Sequence, residues 1–181
     1  MIYSRNCLRV LVVFPLLTIL ACCAGPVDDS AEIAGSGDTD LIGTWRFNSM
    51  EARSPSGEVI YPYGEKMFGR LIYTTEGLMS VLLMNPDRPR FASDDPLAGT
   101  PEEIEAAYLG FDAYCGSFTV DENRATVTHH LQASKFPNWI GTDQVRSFEC
   151  RENRLKLKAD IETHGEIWKF EADLERVLSA K

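Results

Sequence analysis

Residues 113–131 read AYCGSFTVDENRATVTHHL, and this stretch decides the fold. Two runs of alternating character, 113–120 and 124–132, flank a turn signal at Asp121-Glu122-Asn123. Side chains of an extended chain alternate between faces, so Tyr114, Gly116, Phe118 and Val120 share one side of the first run. Val127, His129 and Leu131 share one side of the second. The pattern predicts an antiparallel hairpin with one apolar face.

The same signature repeats along the chain. Further strands are expected near 43–52, 57–61, 69–75, 78–84, 144–150, 153–160 and 165–174, with turns at Ser56-Gly57, Thr75-Glu76-Gly77, Glu152-Asn153 and His164-Gly165. Alternation puts Trp45, Phe47 and Ser49 on one face, as it does Leu155, Leu157 and Ala159, and Trp168, Phe170 and Ala172. The run 78–84 (LMSVLLM) is apolar on both faces and needs an outer cover. One helix stands out. Thr100-Pro101-Glu102-Glu103 is a capping box with proline in the first turn, followed by a stripe of Ile104, Ala107, Tyr108 and Phe111. That helix is the expected cover for 78–84; a homodimer interface is the competing explanation. Short strands at regular spacing, with one helix between strands 4 and 5, predict a mainly β fold: a closed antiparallel barrel of about 8–9 strands, since closure removes sticky sheet edges. Eight or so strands enclose room for one small ligand.

The 181 residues, 44% hydrophobic and 25% charged, suit one globular domain. The net charge of −9 repels phosphate backbones, so nucleic acid is not an expected partner. Residues 1–21 carry Arg5 and Arg9, an apolar run from Val10 to Leu20, and then Ala21-Cys22. This reads as a signal peptide of lipoprotein type, too short for a membrane span. Cys22 is the expected lipidated residue, with Cys23 the less favoured choice. An N-terminal lipid anchor at the cell envelope follows, in the outer membrane because no Asp follows Cys22 at the sorting position; a secreted or soluble periplasmic protein is the alternative. Residues 22–40 are rich in Gly, Ser and Asp and read as a flexible tether, leaving 41–178 as the barrel domain. Within it, Cys115 and Cys150 fall in the first and third of three consecutive strands, about 9–10 Å apart. That exceeds the roughly 7 Å limit for a disulfide, so packed thiols are expected.

At this point the residues resemble a known family. Gly43-Thr44-Trp45 resembles the G-x-W signature of lipocalins and other calycins. LIGTWR (41–46), YPYG (61–64), GRLIYTTEGLMSV (69–81), DRPRF (87–91), GTPEEI (99–104), YCGSFTVDE (114–122), VTHHL (127–131) and FPNWIGTDQVRSF (136–148) together resemble the bacterial and fungal lipocalin-like domain family. The resemblance implies a calycin-type barrel with a small-molecule cavity and no common reaction. Two features depart from the better-known lipocalins: the helix lies mid-chain, and no T-D-Y motif is present. Arg176 is placed to be the cation that often packs over the signature Trp.

Three functions are compatible with this reading. The first is binding of a small hydrophobic or amphipathic ligand in a cavity lined by Trp45, Phe47, Tyr73, Tyr114, Phe118 and Trp168. His129 and Arg146 would be its polar anchors; Arg146 shares a face with Phe148 and Cys150, and its guanidinium suits a carboxylate or sulfate. Trp139 sits in a loop where a barrel mouth would be and would close over a ligand or plug the end. The second is a cofactor-free isomerase, cyclase or hydratase with His129 as candidate catalytic acid/base. The third is a structural lipoprotein with a filled barrel. Enzymatic activity is left open, with the balance against it. His129 and His130 point to opposite faces, no metal-ligand spacing occurs, and G-x-S-x-G and phosphate-loop motifs are missing, so neither a metal nor a cofactor is expected. An open cavity separates the first two readings from the third.

Overall fold

The computed structural model describes residues 40–163 and 165–178. The chain divides into two units, 1–31 and 32–181. The expected signal peptide, the expected lipidation site Cys22, nearly all of the expected tether and His164 lie outside the described residues, and everything below concerns the second unit.

Among the described residues, nine strands and one α-helix follow the order β1 (Gly43–Arg53), β2 (Val59–Ile60), β3 (Phe68–Tyr73), β4 (Leu78–Met84), α1 (Pro101–Leu109), β5 (Phe111–Asp121), β6 (Thr126–Ser134), β7 (Asp143–Arg151), β8 (Arg154–Thr163) and β9 (Glu166–Arg176). Strands β3 to β9 pair antiparallel with their sequence neighbours. β1 closes the sheet: it pairs with β3 on one side over Gly43–Arg46 and with β9 on the other from Trp45↔Arg176 to Arg53↔Lys169. The result is a closed eight-stranded barrel. The two-residue β2 is extra, continuing beside the end of β1 where β3 has left off.

Two bulges refine the faces that alternation predicts. The β1–β9 register shifts between Phe47 and Ser49, where Asn48 is the extra residue. Beyond it Met50 and Ala52, paired with Ala172 and Phe170, take the inward places, and Ser49 aligns with Asp173 instead of following Phe47 into the core. A bulge inserts an unpaired residue and so reverses parity downstream. The second shift lies opposite Cys115 and Gly116, where Gln132 is extra on β6. A Cβ on Gly116 would collide with the His130 carbonyl oxygen, so glycine is what lets these two backbones close.

One end of the barrel is solid. Trp45 is fully buried and donates from Nε1 to the Leu41 carbonyl at 2.8 Å. Arg176 lies 4.1 Å from the Trp45 ring centroid and donates to the carbonyls of Asp40 and Ile42. Leu71, Tyr73, Met79, Phe118, Leu155 and Leu174 fill the space around this floor. Each such side chain, withdrawn from water, contributes roughly 1.5–3 kcal/mol before entropy is set against it.

α1 forms where the capping box lies. The Thr100 hydroxyl accepts from the Glu103 amide, and the Glu103 carboxylate accepts from the Thr100 amide at 2.8 Å. The helix does not cover β4, however. None of its residues is buried, and Leu78 on the outer face of β4 stays 44% exposed. Connectivity gives the reason. Only Gly110 separates α1 from β5, and β5 starts opposite Met84, so the helix is tied to the rim. Leu78 lies six residues further down β4, about 20 Å away. Arg88 and Lys135 secure the helix C-terminus there, donating to Ala107 O and Tyr108 O at 3.1 and 2.7 Å. Cations suit that end of the helix dipole. Cys115 and Cys150 are not bonded to one another; Cys115 is exposed on the outer face, and Cys150 packs against the core.

Candidate ligand cavity

Above the packed floor the barrel is empty. A cavity of about 510 Å3 opens toward α1, the 137–139 turn and the β8–β9 hairpin. This volume falls within the roughly 300–1,000 Å3 of small-molecule sites. The barrel is thus filled at one end and vacant at the other, which the filled-barrel reading does not accommodate.

Five of the nine residues expected to bind a ligand form this wall: Phe47, Tyr114, His129, Trp139 and Arg146. The other four are buried elsewhere. Trp45 belongs to the floor. Tyr73 stands one layer behind the wall with Phe118 against it, ring centroids 4.6 Å apart. Trp168 shares the inward side of β9 with Phe170 but does not reach the cavity, and its indole N–H has no partner among the described residues.

The wall has two characters. Phe47, Met50, Leu71, Val81, Leu83 and Phe170 make one part apolar. A polar stripe runs along β5 and β6. At the mouth the Tyr63 hydroxyl donates to Asp112 Oδ2 at 3.2 Å. Burial raises the Asp112 pKa, with Lys135, the Tyr63 hydroxyl and the Ala113 amide opposing that shift. Two residues along β5, Tyr114 meets Trp139 edge to face, ring centroids 6.1 Å apart, and Phe136 also packs edge to face with that indole. The mouth therefore carries an aromatic cluster, and Trp139 is half-buried in it.

Deeper, Tyr73 Oη and His129 Nε2 lie 2.6 Å apart. If the imidazole donated, both the phenol proton and Nδ1 would be buried without partners; if Tyr73 donates, only the Nδ1 proton is. The second arrangement leaves fewer orphans, so Tyr73 donates and the imidazole proton sits on Nδ1. Burial, then the nearby charges of Arg146 and His130, push the His129 pKa down to about 3. His129 is neutral at ordinary pH, and so weak a base fits hydrogen bonding better than acid/base work. Arg146, inward on β7 beside Phe148 and Cys150 as alternation indicates, donates to Gln144 Oε1 at 3.1 Å and to the Val145 carbonyl at 3.0 Å. Its charge also pulls against the burial that raises the pKa of Tyr114.

Asp112, Tyr63, Lys135 and Met50 line the cavity without having been singled out in the sequence. The signal for Asp112 is the parity it shares with Tyr114, Gly116 and Phe118, which an expected strand start at 113 leaves out. Met50 was hidden by the bulge. Tyr63 and Lys135 lie in connections, where no periodicity speaks.

Comparison with known proteins agrees with this geometry. A family model described as a lipocalin-like domain matches residues 42–177. The 4'-hydroxy-3'-methoxypropiophenone carrier protein of Aspergillus oryzae is 36% identical over 85 residues, 44% of this chain and 77% of that protein. No solved structure matches.

Proposed function

Because this chain belongs to the lipocalin-like domain family, we propose that it is a carrier that holds one small, largely apolar aromatic molecule in its barrel. The observation that carries this reading is the cavity of about 510 Å3 above a solid floor, apolar over most of its wall and polar along one stripe. An aromatic ketone of the kind named for the Aspergillus oryzae relative is the ligand type to test first, since Phe47, Phe170 and Trp139 offer ring faces and edges to a flat molecule. Native mass spectrometry of the full protein, purified gently from its own host, tests the reading. An adduct released on denaturation supports it. A clean apo mass, together with no quenching of tryptophan fluorescence by a panel of aryl ketones, overturns it.

We propose further that the carrier is exported and lipid-anchored through Cys22. The support is the charged start, the apolar run and the Ala21-Cys22 junction. Labelled palmitate should enter the wild type and Cys23→Ala but not Cys22→Ala; label retained in Cys22→Ala overturns the assignment.

A further inference from the structure

Arg146 is a cation on the cavity wall whose hydrogen bonds go to neutral oxygens, the Val145 carbonyl, the Gln144 amide and the Tyr114 hydroxyl. It takes part in none of the ion pairs among the described residues, whereas Arg46, Arg53, Lys156 and Lys158 each face an acid. The other charges facing the cavity do not balance it. Asp112 is engaged by Tyr63 and faces Lys135, and Glu162 lies exposed at the rim. His129 beside it is kept neutral. A half-buried guanidinium without a counter-charge, in a chain of net charge −9, leaves one uncompensated positive charge in the wall.

We infer that the molecule carried in the cavity bears a single oxyanion, a carboxylate or an ionised phenol on an aromatic body, seated against Arg146. The inference rests on the carrier reading. The planar guanidinium has donors left for such a group, and Phe47 and Trp139 receive the aromatic body. The neutral state of His129 removes competition for the anion and keeps the polar stripe from demanding a second negative charge.

The test uses full-length protein and probe pairs of matched shape. 1-Naphthoate against 1-naphthamide examines the carboxylate, and 4-nitrophenol above and below its own ionisation examines the phenolate. Wild type is expected to bind at least one anion about tenfold or more tighter than its neutral counterpart, as a charge-assisted hydrogen bond contributes. In Arg146→Gln the ratio of anion to neutral affinity falls to about one; Arg146→Lys retains part of the preference. Thermal denaturation of each variant checks folding. Equal or tighter binding of the neutral probes by wild type overturns the oxyanion and leaves the carrier standing. No binding of any probe, charged or neutral, counts against the carrier itself.

Discussion

At the residue scale, the Tyr73–His129 pair is the most constrained polar contact in the barrel. Tyr73→Phe preserves shape but leaves His129 Nε2 buried without its donor. The expected loss is about 1–3 kcal/mol, read by urea denaturation at neutral pH. His129 also gives stability a pH dependence whose sign is fixed. Its ordinary pKa of 6.5 falls to about 3 in the folded chain, mainly through burial. Below pH 6.5 the unfolded chain takes up a proton that the folded chain refuses. Stability therefore falls as pH drops from 6.5 toward 3, with a slope approaching about 1.4 kcal/mol per pH unit. Glu76, Glu102, Glu103 and Glu149 have pKa values held below 4.5 and act below the window of pH 5 to 6.5. Burial raises the pKa of Asp112, which acts with the opposite sign, but equally in both proteins. Urea denaturation at pH 7, 6 and 5 should show the slope in wild type and its loss in His129→Gln; parallel curves would refute the assignment.

At the element scale, the bulge opposite Gly116 and the cap of α1 make contrasting predictions. Gly116→Ala places a methyl against the backbone of β6, which has no flexible side chain to give way. A global destabilisation of about 2–4 kcal/mol is expected in chemical denaturation. Thr100→Ala removes half of a capping box, at about 1 kcal/mol to the helix. Because α1 buries no residue, that loss should stay local: amide exchange over residues 102–106 speeds up while the global transition is unmoved. Tyr108 lies on the cavity wall, so ligand release should quicken as well.

At the scale of the whole molecule, the barrel works by dividing itself into a solid end and a hollow end. Arg176 seals the solid end, bridging the last strand to the carbonyls of Asp40 and Ile42 across the Trp45 ring. Arg176→Ala is expected to destabilise the domain by roughly 1–3 kcal/mol through lost charged hydrogen bonds and the cation–π contact. Ligand affinity should be unchanged, because Arg176 takes no part in the cavity wall; a matching loss of affinity would show the two ends to be coupled.

Sequence alone determined the succession of strands along the chain, the antiparallel β5–β6 hairpin, the shared face of Arg146, Phe148 and Cys150, the shared faces of Tyr114 with Phe118 and of His129 with Val127 and Leu131, and the capping box, because each follows from periods of two or from contacts within a few residues. Arg176 over Trp45 was legible only through the family resemblance. Tertiary structure decided the rest. Trp45, Tyr73 and Phe118 have the same parity as Phe47 and Tyr114, yet they pack the floor while the latter two face the void, since parity assigns a side of the sheet but not a height along the barrel axis. Height depends on strand tilt and on bulges such as Asn48 and Gln132, which one chain segment does not announce. The helix was legible as a helix, but its place at the rim depended on where β5 begins. The unbalanced charge of Arg146 is likewise a tertiary property, because it depends on where the acids of other strands lie among the described residues.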